Sequence, residues 1–232
     1  MSGFTFKQFK IEHDKCAMKV STDGILLGAW ADLQAAHSLL DIGTGTGLLA
    51  LMCQQRNPDI TVSGVEIDTD AYNQALYNIA QSPWPKIKVH AQRIQDFNSE
   101  KPFDVIISNP PYFNASLKGE DEARNVARHT DTLSFTQLLD AVIRLSHSST
   151  RFSVILPCSE AQTLSQLASH KGLYLNAHCL VQANKSKPFS RSLMTFSFNN
   201  KGCEESTLCI KNNNNQYTDD YIALCKAFYL KM

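Results

Sequence analysis

The 232-residue sequence predicts an α/β fold built on a mostly parallel, doubly wound sheet. Three observations lead there. Short apolar runs alternate with helical patterns from about residue 38 onward, as successive β-α-β units require. A glycine-rich turn, Asp41-Ile42-Gly43-Thr44-Gly45-Thr46-Gly47, lies between a strand pattern and a helix pattern. The residues able to do chemistry fall at the carboxyl ends of expected strands, where such sheets collect ligands.

Taken in order, Phe4, Phe6, Phe9 and Ile11 alternate as a hairpin or edge strand. After Met18 to Val20, Ser21-Thr22-Asp23 forms an N-cap for an apolar helix from about Gly24 to Ala31. Ser38 to Ile42 is a buried strand, and a helix from about Thr46 to Arg56 is closed by Pro58. Thr61 to Ile67 is the next strand, and the helix from about Thr69 to Gln81 stops at Ser82-Pro83. Ile87 to Val89 and Phe103 to Ser108 are further strands, and a polar stretch, Asn114 to Asp131, follows the second. A helix over Ser134 to Ser146, a strand over Phe152 to Leu156 and a helix over Glu160 to His170 come next, the last ended by Gly172. Leu173 to Val181 and Leu193 to Phe198 pair as a terminal hairpin that supplies the antiparallel strand. Leu208 to Lys211 is a candidate last strand, and Asp219 to Leu230 a closing helix.

Composition excludes several classes. Charged residues make up 19% and hydrophobic residues 43%, the balance of a globular protein. No apolar run reaches the roughly 18 residues of a membrane span, and Met1 to Lys10 carries no signal core. A cytoplasmic location is the expectation. The seven cysteines are scattered without a Cys-x-x-Cys pair, which argues against a disulfide framework and a zinc site, so no metal is expected. With 22 basic and 22 acidic residues, any nucleic-acid contact must come from local basic segments. Two qualify. Lys118, Arg124, Arg128 and His129 follow the Pro-Pro motif described below, partly offset by Glu120, Asp121 and Glu122. Lys185, Lys187 and Arg191, with Phe189 among them, occupy the loop of the terminal hairpin.

In the glycine-rich turn, Gly43, Gly45 and Gly47 permit positive φ and a close approach of backbone to ligand. Glu66, 19 residues past Gly47, ends the following strand, where a carboxylate receives ribose hydroxyls. The pattern points to a nucleoside cofactor. A dinucleotide needs Gly-x-Gly-x-x-Gly, but the spacing here is Gly-x-Gly-x-Gly with Asp41 just before it. A carboxylate there repels a pyrophosphate and suits a ligand bearing an ammonium and a sulfonium.

Asn109-Pro110-Pro111-Tyr112 is the sharpest motif. An exocyclic amine on an aromatic ring is a poor nucleophile because its lone pair is delocalised. Two acceptors holding its hydrogens free that lone pair. The Asn109 side-chain oxygen and the Pro110 carbonyl can be those acceptors, set by two fixed φ angles. Tyr112 offers a stacking face, worth about 1–3 kcal/mol for a base.

The glycine turn resembles motif I of class I S-adenosylmethionine methyltransferases. Asn109 to Tyr112 resembles the (Asn/Asp/Ser)-Pro-Pro-(Tyr/Phe) motif of enzymes that methylate adenine N6, cytosine N4, guanine N2 or glutamine amide. Nearly the whole chain, most clearly Phe4 to Phe9, Cys16 to Trp30, Asp41 to Leu51, Ile106 to Tyr112 and Ala227 to Leu230, resembles the bacterial tRNA1(Val) adenine-N6 methyltransferase family. The similarity is weakest from Lys171 to Gln216. The resemblance implies a Rossmann-like class I methyltransferase fold: a seven-stranded, mostly parallel sheet with an antiparallel edge strand, an N-terminal hairpin and a C-terminal helix. It implies residues 1–35 covering the cofactor, a core over 36–200 and an extension over 201–232. The implied cofactor is S-adenosylmethionine, with Thr22 and Asp23 near its amino-acid end and Asp41, Glu66, Asp96 and Asn109 around it. Asp96 would receive the adenine amine. The implied substrate is adenine 37 in a tRNA anticodon loop, without membrane, metal or obligate protein partner. Thr44 and Thr46 stand where the family often has smaller residues. The rival readings are a glutamine-amide methyltransferase, whose separate helical N-terminal domain does not fit the roughly 35 residues before the first sheet strand, or another RNA amino-group methyltransferase; a nicotinamide-dependent oxidoreductase, disfavoured by the glycine spacing and Asp41; and an RNA-binding module without chemistry, against which intact Asn109 to Tyr112 argues.

Overall fold

The computed structural model describes residues 3–16, 19–111 and 133–232. Its main sheet has eight strands, β3 (Ser38–Ile42), β4 (Thr61–Glu66), β5 (Lys88–Ala91), β6 (Phe103–Ser108), β7 (Ser146–Pro157), β8 (Tyr174–Asn184), β9 (Arg191–Ser197) and β10 (Glu204–Lys211). They lie in the order β10-β8-β9-β7-β6-β3-β4-β5. From β3 the chain steps outward through β4 and β5, then returns to the other side of β3 as β6. The switch point therefore lies between β3 and β6, the position at which doubly wound sheets bind ligands.

Among the described residues, the strand pairs of this sheet are parallel except those made by β9, which runs antiparallel to both β7 and β8. The hairpin of β8 and β9 forms toward this end of the sheet, as the alternation of apolar residues predicts. The sheet is one strand wider than the seven expected, because β10 adds in parallel outside β8. That strand begins at Glu204, four residues before the apolar pattern starts, and its first four residues are exposed. Backbone pairing rather than side-chain burial holds its beginning.

Helices cover both faces. α1 (Thr22–Trp30), α2 (Leu48–Arg56), α3 (Thr69–Ala80) and α6 (Asp219–Cys225) pack on one side; α4 (Phe135–Arg144) and α5 (Cys158–His170) pack on the other. The strands split their side chains accordingly. Leu39, Val105 and Ile107 join the first layer, and Leu40, Ile42 and Ile106 the second, the two-residue period of a sheet buried on both faces. α1 starts two residues earlier than its apolar pattern because the Ser21 hydroxyl caps the Gly24 amide at 3.3 Å. It is buried from Gly24 to Ala29 and crosses α2 closely at Gly28, where a Cβ would lie 2.8 Å from Met52 Sδ. Arg56 reaches from α2 to donate to the Gly28 and Ala31 carbonyls at the end of α1.

The two ends of the chain meet. β1 (Gly3–Thr5) and β2 (Lys10–Glu12) form the expected hairpin. Phe6 bridges to Tyr229, and the Lys7 amide donates to the Phe228 carbonyl at 2.8 Å. This explains why α6 ends at Cys225 rather than running on to Leu230: the backbone of 228–229 pairs with the N-terminal segment instead of continuing a helix. Among the described residues no helix is long and apolar enough to cross a membrane, and no cluster of His, Cys, Asp or Glu could hold a metal ion.

Candidate active site

The glycine turn and the Asn-Pro-Pro motif leave the sheet side by side. Ile42, last residue of β3, is in register with Ser108, last residue of β6, and the Ser108 hydroxyl donates to the Ile42 carbonyl at 2.9 Å. Beyond them opens a cleft of about 250 Å³. Gly43 and Gly45 form one wall. Val65 to Asp68 at the end of β4 and Gln92 to Gln95 beyond β5 form another, and Ser108 to Pro111 close the far end. Cys16, Ala71 and Leu133 complete the lining.

The turn folds back over β4: the amides of Gly43 and Thr44 both donate to the Val65 carbonyl. Its glycines are required. Gly43 and Gly45 have φ of +70° and +56°, and a Cβ on Gly43 would meet nothing within 4 Å, leaving open the space a ligand would use. Gly47 caps α2 at φ +82° and packs on Ala75 rather than lining the cleft.

Glu66 is buried and ties the walls together. One oxygen accepts the Gly45 amide at 2.8 Å, and the other accepts the Ile67 and Asp68 amides, both at 2.9 Å. A carboxylate has about four lone-pair sites, so the oxygen facing Gly45 can accept one more hydrogen bond. Asp41 lies beneath the turn, fully buried, and does not line the cleft. The Thr44 hydroxyl donates to its Oδ2 at 2.6 Å, while Oδ1 has no hydrogen-bond partner. Burial pushes the Asp41 carboxyl up to about 7; the Thr44 bond opposes the rise and the charge of Glu66 adds to it. Both threonines of the turn are accommodated: Thr44 packs on Gly64, and the Thr46 carbonyl accepts from Asn78.

Asn109 is partly buried, Pro110 buried and Pro111 exposed. The first turn of α1 stands beside them, for a Cβ on Gly24 would be 3.9 Å from the Asn109 amide nitrogen and 3.0 Å from Leu48 Cδ2. Thr22 and Asp23 therefore lie next to the motif rather than in the cleft lining. Asp23 pairs with Arg191, whose Nε donates to Asp23 Oδ2 at 2.7 Å. Lys185, Lys187 and Phe189 are exposed in the loop between β8 and β9, which opens at the carboxyl end of the parallel strands, the end at which the cleft lies. Asp96 is exposed and outside the cleft, whose wall there is Gln92 to Gln95. Tyr112, Lys118, Arg124, Arg128 and His129 lie outside the described residues.

Several cleft residues escaped the sequence reading. Ile67 and Asp68 directly follow Glu66, and Gln92 follows β5, so treating every strand end alike would have found them. Cys16 carries no local signal, and neither does Asn78, which supports the cleft from outside its lining. Asn78 is buried on α3, accepts the Glu12 amide and donates to the Glu12 and Thr46 carbonyls, each at 2.9 Å. It joins the N-terminal segment, which brings Cys16 into the cleft, to the glycine turn.

A nucleoside with a cationic end fits this donor set. The turn offers a cradle that any Cβ would fill, and two buried carboxylates lie around it. A model of the methyltransferase small domain matches residues 23–131. The chain is 65% identical over its whole length, and the relative's whole length, to a tRNA1(Val) (adenine(37)-N6)-methyltransferase from Pseudoalteromonas translucida. The chain belongs to that family. The Phocaeicola vulgatus member is 46% identical over 99% of this chain and 98% of its own. Solved structures share the fold at greater distance. A predicted O-methyltransferase from Agrobacterium tumefaciens superposes with a TM-score of 0.67 at 17% identity, over 89% of this chain and 96% of the other. A methyltransferase from Pyrococcus furiosus gives 0.61 at 19% identity, over 82% and 89%.

Proposed function

We propose that this chain transfers a methyl group from S-adenosylmethionine to the exocyclic N6 amine of an adenine in a tRNA anticodon loop, adenine 37 of tRNA1(Val). The observation that carries the reading is the pairing of Ile42 with Ser108, which sets a nucleoside-sized cleft directly beside Asn109 and Pro110. The relatives' name supplies the RNA and the position of the base.

Gly43 and Gly45 hold the cofactor, and Glu66 uses its remaining acceptor capacity on a ribose hydroxyl. Bound there, S-adenosylmethionine supplies a methyl group made electrophilic by its sulfonium. The Asn109 side-chain oxygen and the Pro110 carbonyl accept the two amine hydrogens and so turn the nitrogen lone pair toward that methyl. With the amine so held, methyl transfer would leave a positive charge on the nitrogen that its loss of a proton to solvent would relieve. No strong base is needed. The residues' task is orientation, the contribution that converts an encounter into an in-line displacement. An adenine in a stacked helix is out of reach of such a corner, whereas an anticodon loop presents it unpaired. Lys185, Lys187 and Phe189 supply phosphate contact and a stacking face at the same carboxyl end of the strands.

Asn109→Ala tests this. Transfer to a tRNA1(Val) transcript is expected to fall by about 100-fold or more, with cofactor affinity by calorimetry within about threefold of the parent. Retention of full transfer, or loss of cofactor binding in parallel, counts against the assignment.

A further inference from the structure

Residues predicted separately to serve the cofactor and the RNA are bonded to each other. Asp23 belongs to the first turn of α1, which stands against Asn109. Arg191 opens β9 at the root of the exposed loop carrying Lys185, Lys187 and Phe189, and it lies in register with Val181 of β8 and Pro157 of β7. Their ion pair, 2.7 Å long, joins segments 168 residues apart. Its two side chains are 16% and 32% exposed, so it is shielded better than a surface pair. Arg191 also donates to the Ser190 carbonyl, which fixes the guanidinium relative to the loop.

We propose that Asp23 and Arg191 form a positioning device that sets the height of the substrate-holding loop over the amine site. The loop grips RNA, α1 walls the space around Asn109, and the ion pair makes the two one rigid frame. Arg191 on this view acts through Asp23 and not through an RNA phosphate. Losing the frame leaves both ligands able to bind, but delivers the base to Asn109 in a range of poses. The cost then falls on kcat rather than on KM, because only the oriented complex reacts. The inference rests on the methyl-transfer reading above.

A double-mutant cycle with Asp23→Ala, Arg191→Ala and the pair together tests it, with Arg191→Lys and Asp23→Asn as milder versions should an alanine variant fail to fold. Each single change is expected to lower kcat for a tRNA1(Val) transcript by about 10- to 100-fold, with the RNA KM and the cofactor Kd within about threefold. The double variant should be no slower than the worse single, the signature of one shared interaction. Arg191→Lys should recover part of the rate. Multiplying effects in the double variant, or a raised RNA KM at unchanged kcat for Arg191→Ala, would overturn the proposal and make Arg191 a direct RNA contact. Should the parent chain methylate no RNA, the substrate reading fails on its own. Hydrogen exchange at residues 22–26 then decides the device, which predicts equal loosening in both singles and no more in the double.

Discussion

Asp41→Asn isolates the electrostatics beneath the glycine turn. The parent carboxyl is fully buried, has one oxygen bonded to Thr44 and the other without a partner, and is held up at about 7. In the unfolded chain it ionises near 4. An acid whose folded value lies above its unfolded value penalises folding as pH rises: nothing below about 4, a growing cost between, and the full cost above about 7. A span from the usual value to about 7 corresponds to a ceiling of about 4 kcal/mol. Asparagine has the shape of the protonated acid, can still accept from Thr44, and does not ionise. Near pH 4.5 the variant should therefore be the more stable by no more than about 1 kcal/mol. At pH 8, without cofactor, the variant should be the more stable by about 2–4 kcal/mol. A cationic ligand placed beside the turn favours the charged carboxylate, so saturating S-adenosylmethionine should narrow the gap at pH 8. The assay is urea unfolding by circular dichroism at both pH values, with and without cofactor. A stability difference that stays flat with pH, or a parent more stable than the variant at pH 8 without ligand, would refute the reasoning.

Glu66→Gln replaces one carboxylate oxygen by an NH2 that must face a backbone N–H on either side; calorimetry should show at least about a tenfold loss of cofactor affinity, and urea unfolding a loss of about 1–3 kcal/mol. Unchanged affinity would remove Glu66 from the ribose role. Gly28→Ala drives a methyl into Met52 at the crossing of α1 and α2 and should lower the melting temperature by about 2–6 °C, with cofactor affinity untouched; a rise would mean helix propensity outweighs the contact. Lys185→Ala with Lys187→Ala should weaken RNA binding and reduce the slope of log affinity against log salt by about 1.5. An unaltered slope would exclude this loop from the phosphate contacts.

The layout of the core was readable because its signals are local. β3 and β6 are marked by short apolar runs, Leu39-Leu40 and Val105-Ile106-Ile107, and the start of α1 by Ser21, which caps that helix in the structure. The turn from Asp41 to Gly47 was legible because positive φ restricts the residue choice to glycine. Pairing across the chain was not legible. Nothing near Asp41 announces that it is sealed below the turn, because burial is decided by α2 and β4 together. Nothing near Asp23 announces Arg191, and Asn78 looks like any polar helix residue until Glu12 and Thr46 arrive from two other segments. The shortening of α6 has the same origin, since a helical pattern through Leu230 yields to a backbone bridge with Phe6 and Lys7, more than two hundred residues away.

That meeting of the two termini bears on how the protein matures. A nascent chain still lacking Phe228 and Tyr229 has no partner for Phe6 and Lys7, so the stretch that carries Cys16 to the cofactor cleft is left unanchored at one end during synthesis. Residues 6 and 7 are thus held by residues more than two hundred positions later, and before those arrive this stretch is fastened to the glycine turn through Asn78.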